Sequence, residues 1–215
     1  MGVDPGLVAT GFGVLEAGAG GVAVRDVGVI STPAGQPLEA RLNALHRAIH
    51  RIIETQGPQL LVVEDLYTEY RFPRTAVLMG HARGVIYLAA RQLGVAVVAL
   101  APAEVKRAMT GNGAAGKAQM QRAVQTVLGL KDPPRPSHVA DALGLAASGM
   151  SRITGRLPGR AHEWAGTSGL SAGRRITGRG GECGGHLGAP ADEEKPPVAP
   201  SPPAAPTRRG SGGRA

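Results

Sequence analysis

The spacing of apolar and polar positions divides the first 150 residues into alternating strand-like and helix-like segments. Residues 11–16 and 22–31 have strand-like composition and flank a glycine-rich turn, which predicts a β-hairpin. From Leu38 onward, apolar residues recur every three or four positions, which predicts an amphipathic helix that ends at Gly57. The uninterrupted apolar run at residues 60–63 is typical of a strand buried on both faces of a sheet.

The alternation continues toward residue 150. A second helix is predicted over residues 74–92, and a buried strand follows at 95–100. Three shorter helices are predicted next, at residues 103–109, 117–128 and 137–149. A hairpin followed by alternating helices and strands predicts one α/β domain, in which a mixed sheet has helices on its faces.

Beyond Met150 the apolar periodicity stops and the composition changes. Residues 151–215 contain 14 Gly and 8 Pro but almost no aliphatic runs, so they cannot bury enough apolar surface to offset the entropy of ordering. We therefore predict a folded domain at residues 1–150 and a disordered tail at residues 151–215. The tail is either a basic arm that adds non-specific affinity for nucleic acid or a solvated extension without a defined role.

The chain of 215 residues carries a formal net charge of +8, which favours an anionic partner such as nucleic acid or an acidic membrane surface. This charge is unevenly divided. Residues 1–150 hold 14 Lys and Arg against 11 Asp and Glu, a net of +3, whereas the tail holds 10 against 5, a net of +5. Net charge is therefore weak evidence for a specific binding site within the domain.

Several classes of protein are excluded by what the chain lacks. A single cysteine, Cys183, excludes an internal disulfide framework and a cysteine-rich zinc site. No apolar run approaches the roughly 18 residues of a membrane span, and the N-terminal residues lack the apolar segment of a signal peptide. We therefore expect a soluble cytoplasmic protein with no membrane partner.

Acidic residues occur where strands are predicted to end. Asp4 directly precedes a turn, and Glu64 follows the apolar run that ends at Val63. Because ligands of open α/β sheets bind at the carboxyl ends of strands, we expect these two carboxylates to meet at one edge. His138 and Asp141, three positions apart, share one face of the last predicted helix.

Three carboxylates and one imidazole suit Mg²⁺ or Mn²⁺, whose charge would offset the repulsion between clustered acids. Two such ions about 3.5–4 Å apart can activate water and stabilise the leaving oxygen of a phosphodiester. Each residue alone also has a simpler interpretation: Asp4 is a turn former, Glu64 a solvated strand end and His138 a residue near a helix cap. Asp65, next in the chain, is expected to point to the opposite face of the sheet.

Short segments across residues 2–149 occur in a recognisable order. They are Gly2-Val3-Asp4-Pro5-Gly6 with Thr10-Gly11-Phe12-Gly13, Val62-Val63-Glu64, Gly80-His81-Ala82-Arg83-Gly84, Glu104-Val105-Lys106 and His138-Val139-Ala140-Asp141-Ala142-Leu143. This ordered set resembles the RuvC family of Holliday-junction resolvases. The resemblance implies an RNase H-like fold with a mixed five-stranded sheet flanked by helices. It also implies divalent-metal-dependent cleavage of four-way DNA junctions, a homodimer, and cooperation with the RuvA–RuvB branch-migration complex in recombination and repair.

The resemblance assigns roles to individual positions. Asp4, Glu64 and Asp141 match the metal-binding carboxylates, and His138 stands where the family has either Asp or His. These four residues are expected to hold Mg²⁺, for which Mn²⁺ substitutes, with two ions in each active site. Lys106 and Lys117 match basic positions that approach the scissile phosphate, and Lys117 is expected to take part in catalysis. An isolated lysine, however, is more often a solvated surface residue.

Aromatic residues are concentrated just after Glu64. Tyr67, Tyr70 and Phe72 are half of the six aromatic residues in the chain, and Arg74 follows them. This density favours stacking on unpaired bases and contacts with phosphates, although packing in the core is an alternative. Tyr67 matches a family position that stacks on a base near the crossover, and Arg74 is a second predicted DNA contact.

The chain departs from the family at its start. The family places a strand of several apolar residues before the Asp-Pro-Gly motif, whereas only Met1, Gly2 and Val3 precede Asp4 here. So short a strand forfeits ladder hydrogen bonds and leaves the first metal ligand near a chain end that is prone to fraying. We therefore expect the native chain to begin upstream.

Other functions compete with a structure-selective endonuclease. YqgF-type RNA nucleases and actin-like ATPases share an Asp near a glycine-rich first turn, but about 150 structured residues cannot supply two nucleotide-clamping lobes. A YqgF-type chain is expected to lack the segment 67–74 and the pairing of His138 with Asp141. The non-enzyme alternative is a junction-binding protein with impaired cleavage.

The predicted helix 74–92 is the candidate dimer interface, because it has more apolar residues than one buried face requires.

Overall fold

The predicted elements form close to their expected bounds in the computed structural model, which describes residues 1–18, 21–66, 73–155 and 174–177. In chain order the elements are β1 (Gly2–Asp4), β2 (Ala9–Gly18), β3 (Gly21–Ser31), α1 (Leu38–Gln56), β4 (Leu60–Glu64), α2 (Pro73–Gln92), β5 (Ala96–Leu100), α3 (Pro102–Thr110), α4 (Lys117–Leu128), α5 (Ser137–Thr154) and β6 (Arg174–Thr177). Helix α1 ends where predicted, because Gly57 adopts a left-handed conformation and its amide donates to Ile53 O over 2.9 Å.

The strands form one mixed sheet in the order β5-β4-β1-β2-β3-β6. The short strand β1 lies near its middle, antiparallel to β2 and parallel to β4. The predicted hairpin is the antiparallel pair of β2 and β3, and β5 pairs in parallel with β4. The predicted α/β fold, a mixed sheet with flanking helices, is confirmed, and β6 adds a sixth strand to the predicted five.

Alternate residues of the sheet pack into two separate cores. Leu61 and Val63 of β4 pack with α1 and α2, whereas Val62 packs with α3, α4 and α5 on the other face. In β1, Val3 packs with the first group. Because successive side chains of a strand point to opposite faces, Asp4 is directed to the face that α5 covers.

Helix α5 lies unusually close to the sheet because glycines face it. A Cβ on Gly2 would lie 2.1 Å from the carbonyl oxygen of Ala142, and a Cβ on Gly11 would lie 2.1 Å from that of His138. No side chain can occupy either space without displacing helix backbone. The first turns of α5 are therefore seated directly on β1 and β2.

Residues Met1 to Asp4, which include strand β1, are all buried. The backbone of Met1 extends the ladder with β4: its carbonyl accepts from the Val62 amide over 2.8 Å, and its amino group donates to Leu60 O over 2.9 Å. The expected loss of ladder hydrogen bonds is thus smaller than the three-residue strand alone suggests.

The tail differs from expectation in two described segments. Helix α5 continues to Thr154, four residues beyond the predicted boundary at Met150. Residues 174–177, predicted to be disordered, form β6 and pair in parallel with residues 28–31 of β3. Without β6, this side of β3 would be a sheet edge with unpaired backbone groups. The remainder of the predicted tail, 156–173 and 178–215, lies outside the described residues.

Candidate active site

Asp4 and Glu64 end two neighbouring parallel strands. The register pairs Gly2 with Val62 and Val3 with Val63, so the two acidic residues follow at the same level of β1 and β4. Glu64 is two residues from Val62 and therefore shares its face of the sheet, the face covered by α5. The sequence-based expectation that the two carboxylates meet at one edge is met.

The first turns of α5 bring His138 and Asp141 to the same edge. His138 Nδ1 lies 2.7 Å from Asp4 Oδ2, a hydrogen bond that joins the start of α5 to the end of β1. Asp4 is buried, whereas 43% of the His138 side chain is exposed. Glu64 and Asp141 are intermediate in exposure. The cluster of Asp4, Glu64, His138 and Asp141, called the acidic cluster below, is therefore open to solvent on one side.

Crowding of negative charge changes how the cluster holds protons. Burial raises the pKa of Glu64 to about 8, and the charges of Asp4 and Asp141 and a hydrogen bond with Asp4 add to this rise. Burial and the charge of Asp4 likewise raise the pKa of Asp141 to about 6. The hydrogen bond with Asp4 is the main cause that raises the pKa of His138.

The two predicted lysines lie near enough to act on this cluster. The charge of Lys106, in α3, opposes the rise in the pKa of both Glu64 and Asp141. Lys117, the first residue of α4, opposes the rise for Asp141 and for His138. Lys117 is exposed, and Lys106 is partly buried. Both ammonium groups are thus placed to meet an anion that approaches the cluster.

The donor set suits a hard divalent cation, because its oxygen-rich ligands repel one another without one. Among the described residues, however, no three His, Cys, Asp or Glu side chains converge closely enough to hold a metal ion. The Asp4 carboxylate instead accepts from His138 Nδ1. The predicted ligands are therefore neighbours whose chemistry fits a divalent cation, although Asp4 and His138 are paired with each other.

The remaining predicted DNA contacts are Arg74 and Tyr67. Arg74 is exposed at the beginning of α2. Tyr67 belongs to residues 67–72, which lie outside the described part of the chain. The proposed stacking role of Tyr67 therefore stays a prediction.

Two side chains for which the sequence pattern indicated no such role, those of Thr10 and Arg41, hold the turn after Asp4. The Thr10 hydroxyl donates to Gly6 O over 2.6 Å and accepts from the Gly6 amide over 3.2 Å. The buried Arg41 donates to Leu7 O over 3.0 Å. The apolar spacing of α1 gave no signal that an arginine would be buried. Thr10 could have been identified, because it belongs to the segment Thr10-Gly11-Phe12-Gly13 that carries part of the family resemblance.

Comparison with known proteins gives a consistent answer. The family described as "Crossover junction endodeoxyribonuclease RuvC" matches residues 1–148. The protein of that name from Rhodopirellula baltica is 42% identical over 149 residues, which are 69% of this chain and 84% of the relative. The one from Moorella thermoacetica is 43% identical over 146 residues, or 68% of this chain and 87% of the relative.

A solved structure also matches. Thermus thermophilus RuvC in complex with Holliday junction substrate is 34% identical, with a TM-score of 0.65, and the match covers 73% of this chain and 96% of that chain. The agreement spans the elements that carry the acidic cluster, and it favours this family over the YqgF-type and ATPase alternatives. The chain belongs to the RuvC family of crossover junction endodeoxyribonucleases.

Proposed function

We propose that this chain resolves four-way DNA junctions by hydrolysing phosphodiesters at the acidic cluster. The observation that carries the proposal is the convergence of Asp4, Glu64, His138 and Asp141 from β1, β4 and α5 at one open edge, within a chain of the RuvC family. The T. thermophilus relative, solved with a Holliday junction, supports the choice of DNA substrate. Recombination and repair are the processes that produce and consume such junctions.

Each residue of the site has a distinct part in the proposed hydrolysis. Asp4, Glu64, Asp141 and His138 would hold the divalent cations, Mg²⁺ with Mn²⁺ as a substitute and two in each site. When bound, such ions supply an activated water and neutralise charge at the phosphate. Glu64, which is largely protonated at neutral pH without a cation, must give up its proton when it becomes a ligand.

Basic residues complete the site. The ammonium group of Lys117 is proposed to stabilise negative charge that develops on the phosphate oxygens, with Lys106 beside it. Arg74 is proposed to contact backbone phosphates, and Tyr67 to stack on a base near the crossover. The exposed side chains of Lys117 and Arg74 are free of intramolecular salt bridges within the described residues, which leaves both available to DNA.

We further propose a homodimer that uses α2, since two symmetric cuts need two active sites. Val77 and Leu88 of α2 are 57% and 51% exposed, which is high for large apolar side chains on one helix. Beside them, a groove of about 440 Å³ lies between α1 and α2. A second copy of α2 would cover this apolar surface.

The cellular setting follows from the family and stays a proposal. We propose that the dimer works with the RuvA–RuvB complex in the cytoplasm. Within the described residues no helix is both long enough and apolar enough to cross a membrane. The tail after α5 is proposed to add basic charge without forming part of the active site.

A junction-binding protein with impaired cleavage is the second candidate function. It is favoured by one observation, the absence of a metal-ligating arrangement among the described side chains. The two candidates differ in what happens when the chain is incubated with a labelled synthetic four-way junction and Mg²⁺ or Mn²⁺. Resolution predicts paired symmetric nicks in the junction and little cleavage of linear duplex. Binding without nicks would favour the second candidate, and equal cleavage of linear duplex would refute junction resolution.

A further inference from the structure

Arg83 lies in the segment Gly80-His81-Ala82-Arg83-Gly84, which is part of the family resemblance. Neither the sequence pattern nor the acidic cluster gives this segment a role. Its side chain is only 11% exposed, although it carries a permanent charge. Arg83 Nη1 donates to Asp65 Oδ1 over 2.9 Å, and Nη2 donates to the hydroxyl of Tyr87, one turn further along α2. The guanidinium also lies over the ring of Tyr87, with Cζ 5.3 Å from its centroid. The orientation of Arg83 is therefore fixed by its own helix.

Asp65, the partner of Arg83, directly follows Glu64. Its amide donates to Leu100 O over 2.8 Å, which extends the β4–β5 ladder by one residue. Its oxygen Oδ1 accepts from the Leu66 amide over 2.9 Å as well as from Arg83. The direction in which the chain leaves β4 is therefore set by a carboxylate that Arg83 holds.

Stability alone is a poor reason for this contact. Asp65 is 51% exposed, and an ion pair with so exposed a partner contributes little to folding. Removing the guanidinium from water opposes even that gain. A geometric role is favoured, because the pair joins the end of a catalytic strand to a helix on the opposite face of the sheet.

We propose that Arg83 is a positioning residue that, through Asp65, fixes the end of β4 and so the place of the Glu64 carboxylate relative to Asp4. The proposal rests on the proposed function, in which Glu64 is a metal ligand. Arg83 acts through the backbone, since its polar contacts in the described structure are with Asp65 and Tyr87. Because α2 also carries the proposed dimer face, the same contact connects that face with the active site.

The test uses the full chain with R83M, D65N and the double variant. The matched control is R152M, which breaks another Arg–carboxylate pair that involves a helix, Arg152 with Glu104. For each protein we would measure the single-turnover cleavage rate on a four-way junction, the Mg²⁺ concentration for half-maximal rate, the junction Kd without metal, and Tm.

We expect R83M and D65N each to slow cleavage at least tenfold and to raise the half-maximal Mg²⁺ concentration severalfold. Junction Kd should change by less than threefold, and the double variant should be no slower than the slower single variant. R152M should cleave like wild type. D65N keeps the size of the side chain, so it provides the same test if R83M does not fold.

Three results would overturn the proposal. The first is a D65N cleavage rate equal to that of wild type. The second is a cleavage rate in R83M and D65N that falls only in proportion to the fraction of folded protein. The third is a loss of cleavage that is explained entirely by weaker binding of the junction. A wild-type chain that does not cleave would refute the proposed function and this proposal together. Wild-type cleavage alongside equally active variants would refute the positioning role alone.

Discussion

Gly11 is the most direct structural test of how the acidic cluster is assembled. It lies in β2 beneath the first turn of α5, where a Cβ would be 2.1 Å from the His138 carbonyl oxygen and 3.0 Å from His138 Cβ. The G11A substitution must therefore push the start of α5 away by about 1 Å, because real Cβ atoms essentially never approach another heavy atom within 3.0 Å. Overpacking of this kind typically costs about 1–3 kcal/mol of folding free energy.

The displacement should affect cleavage more than folding. His138 and Asp141 would move with α5 while Asp4 and Glu64 stay on the sheet, and a 1 Å misplacement can lower a rate by about 100-fold. We therefore expect G11A to remain folded at 25 °C with a lower Tm, to bind junction DNA, and to cleave it at least 30-fold more slowly (about 2 kcal/mol in activation free energy).

The matched control is G35A. Gly35 lies in an exposed turn, has no positive φ, and a Cβ there would have no heavy atom within 4 Å. G35A should match wild type in Tm, junction binding and cleavage rate. Wild-type cleavage by G11A, measured under single-turnover conditions and well below its Tm, would refute the claim that close approach of α5 assembles the site.

Three further predictions concern stability and assembly. Without divalent metal, folded Glu64 binds more protons than unfolded Glu64 between pH 4.5 and 8, because its pKa is raised to about 8. Burial lowers the pKa of the Met1 amino group to about 6, which opposes this effect above pH 6, so the test compares two profiles. In EDTA, the stability of wild type relative to E64Q should fall as pH rises through this window, by at most about 4 kcal/mol; a relative stability that stays flat or rises would contradict this. R41M should lower the free energy of unfolding by about 1–3 kcal/mol in urea melts, because the Leu7 carbonyl loses one of its two donors and the Thr32 hydroxyl loses the donor Arg41 Nε. R47M, at an exposed position of α1, should stay within about 0.5 kcal/mol of wild type. In sedimentation experiments L88K should weaken the homodimer at least tenfold while I153K, at an exposed apolar position of α5, should not; a monomeric wild type would remove α2 as an interface.

Local pattern was enough to predict most elements of the fold. The apolar run of β4 reflects burial on both faces of the sheet, and the apolar spacing of α1 reflects burial along one stripe of the helix. Each signal is contained in a few consecutive residues. The meeting of Asp4 with Glu64 also followed from the rule that parallel strands end at the same edge. Asp65 was expected to point away from Glu64, and its contact with Arg83 of α2 agrees.

The features that sequence did not reveal depend on distant contacts. β6 forms by pairing with β3, more than 140 residues earlier in the chain, and its local composition resembles the rest of the tail. The burial of Arg41 depends on the Leu7 carbonyl, which no periodicity in α1 encodes. Likewise, the pairing of His138 with Asp4 in place of a ligating arrangement reflects side-chain geometry, which residue spacing does not specify.

The central claim is that the acidic cluster cuts junctions, and substituting two of its members tests this most directly. D4N and E64Q keep the shape of each side chain and remove one negative charge, and D132N does the same at an exposed position outside the cluster. With Mg²⁺ and a labelled four-way junction, we predict that wild type and D132N produce paired nicks. D4N and E64Q should bind the junction with similar Kd but cleave at least 1,000-fold more slowly, about 4 kcal/mol in activation free energy. Cleavage by either variant at the wild-type rate would contradict the account.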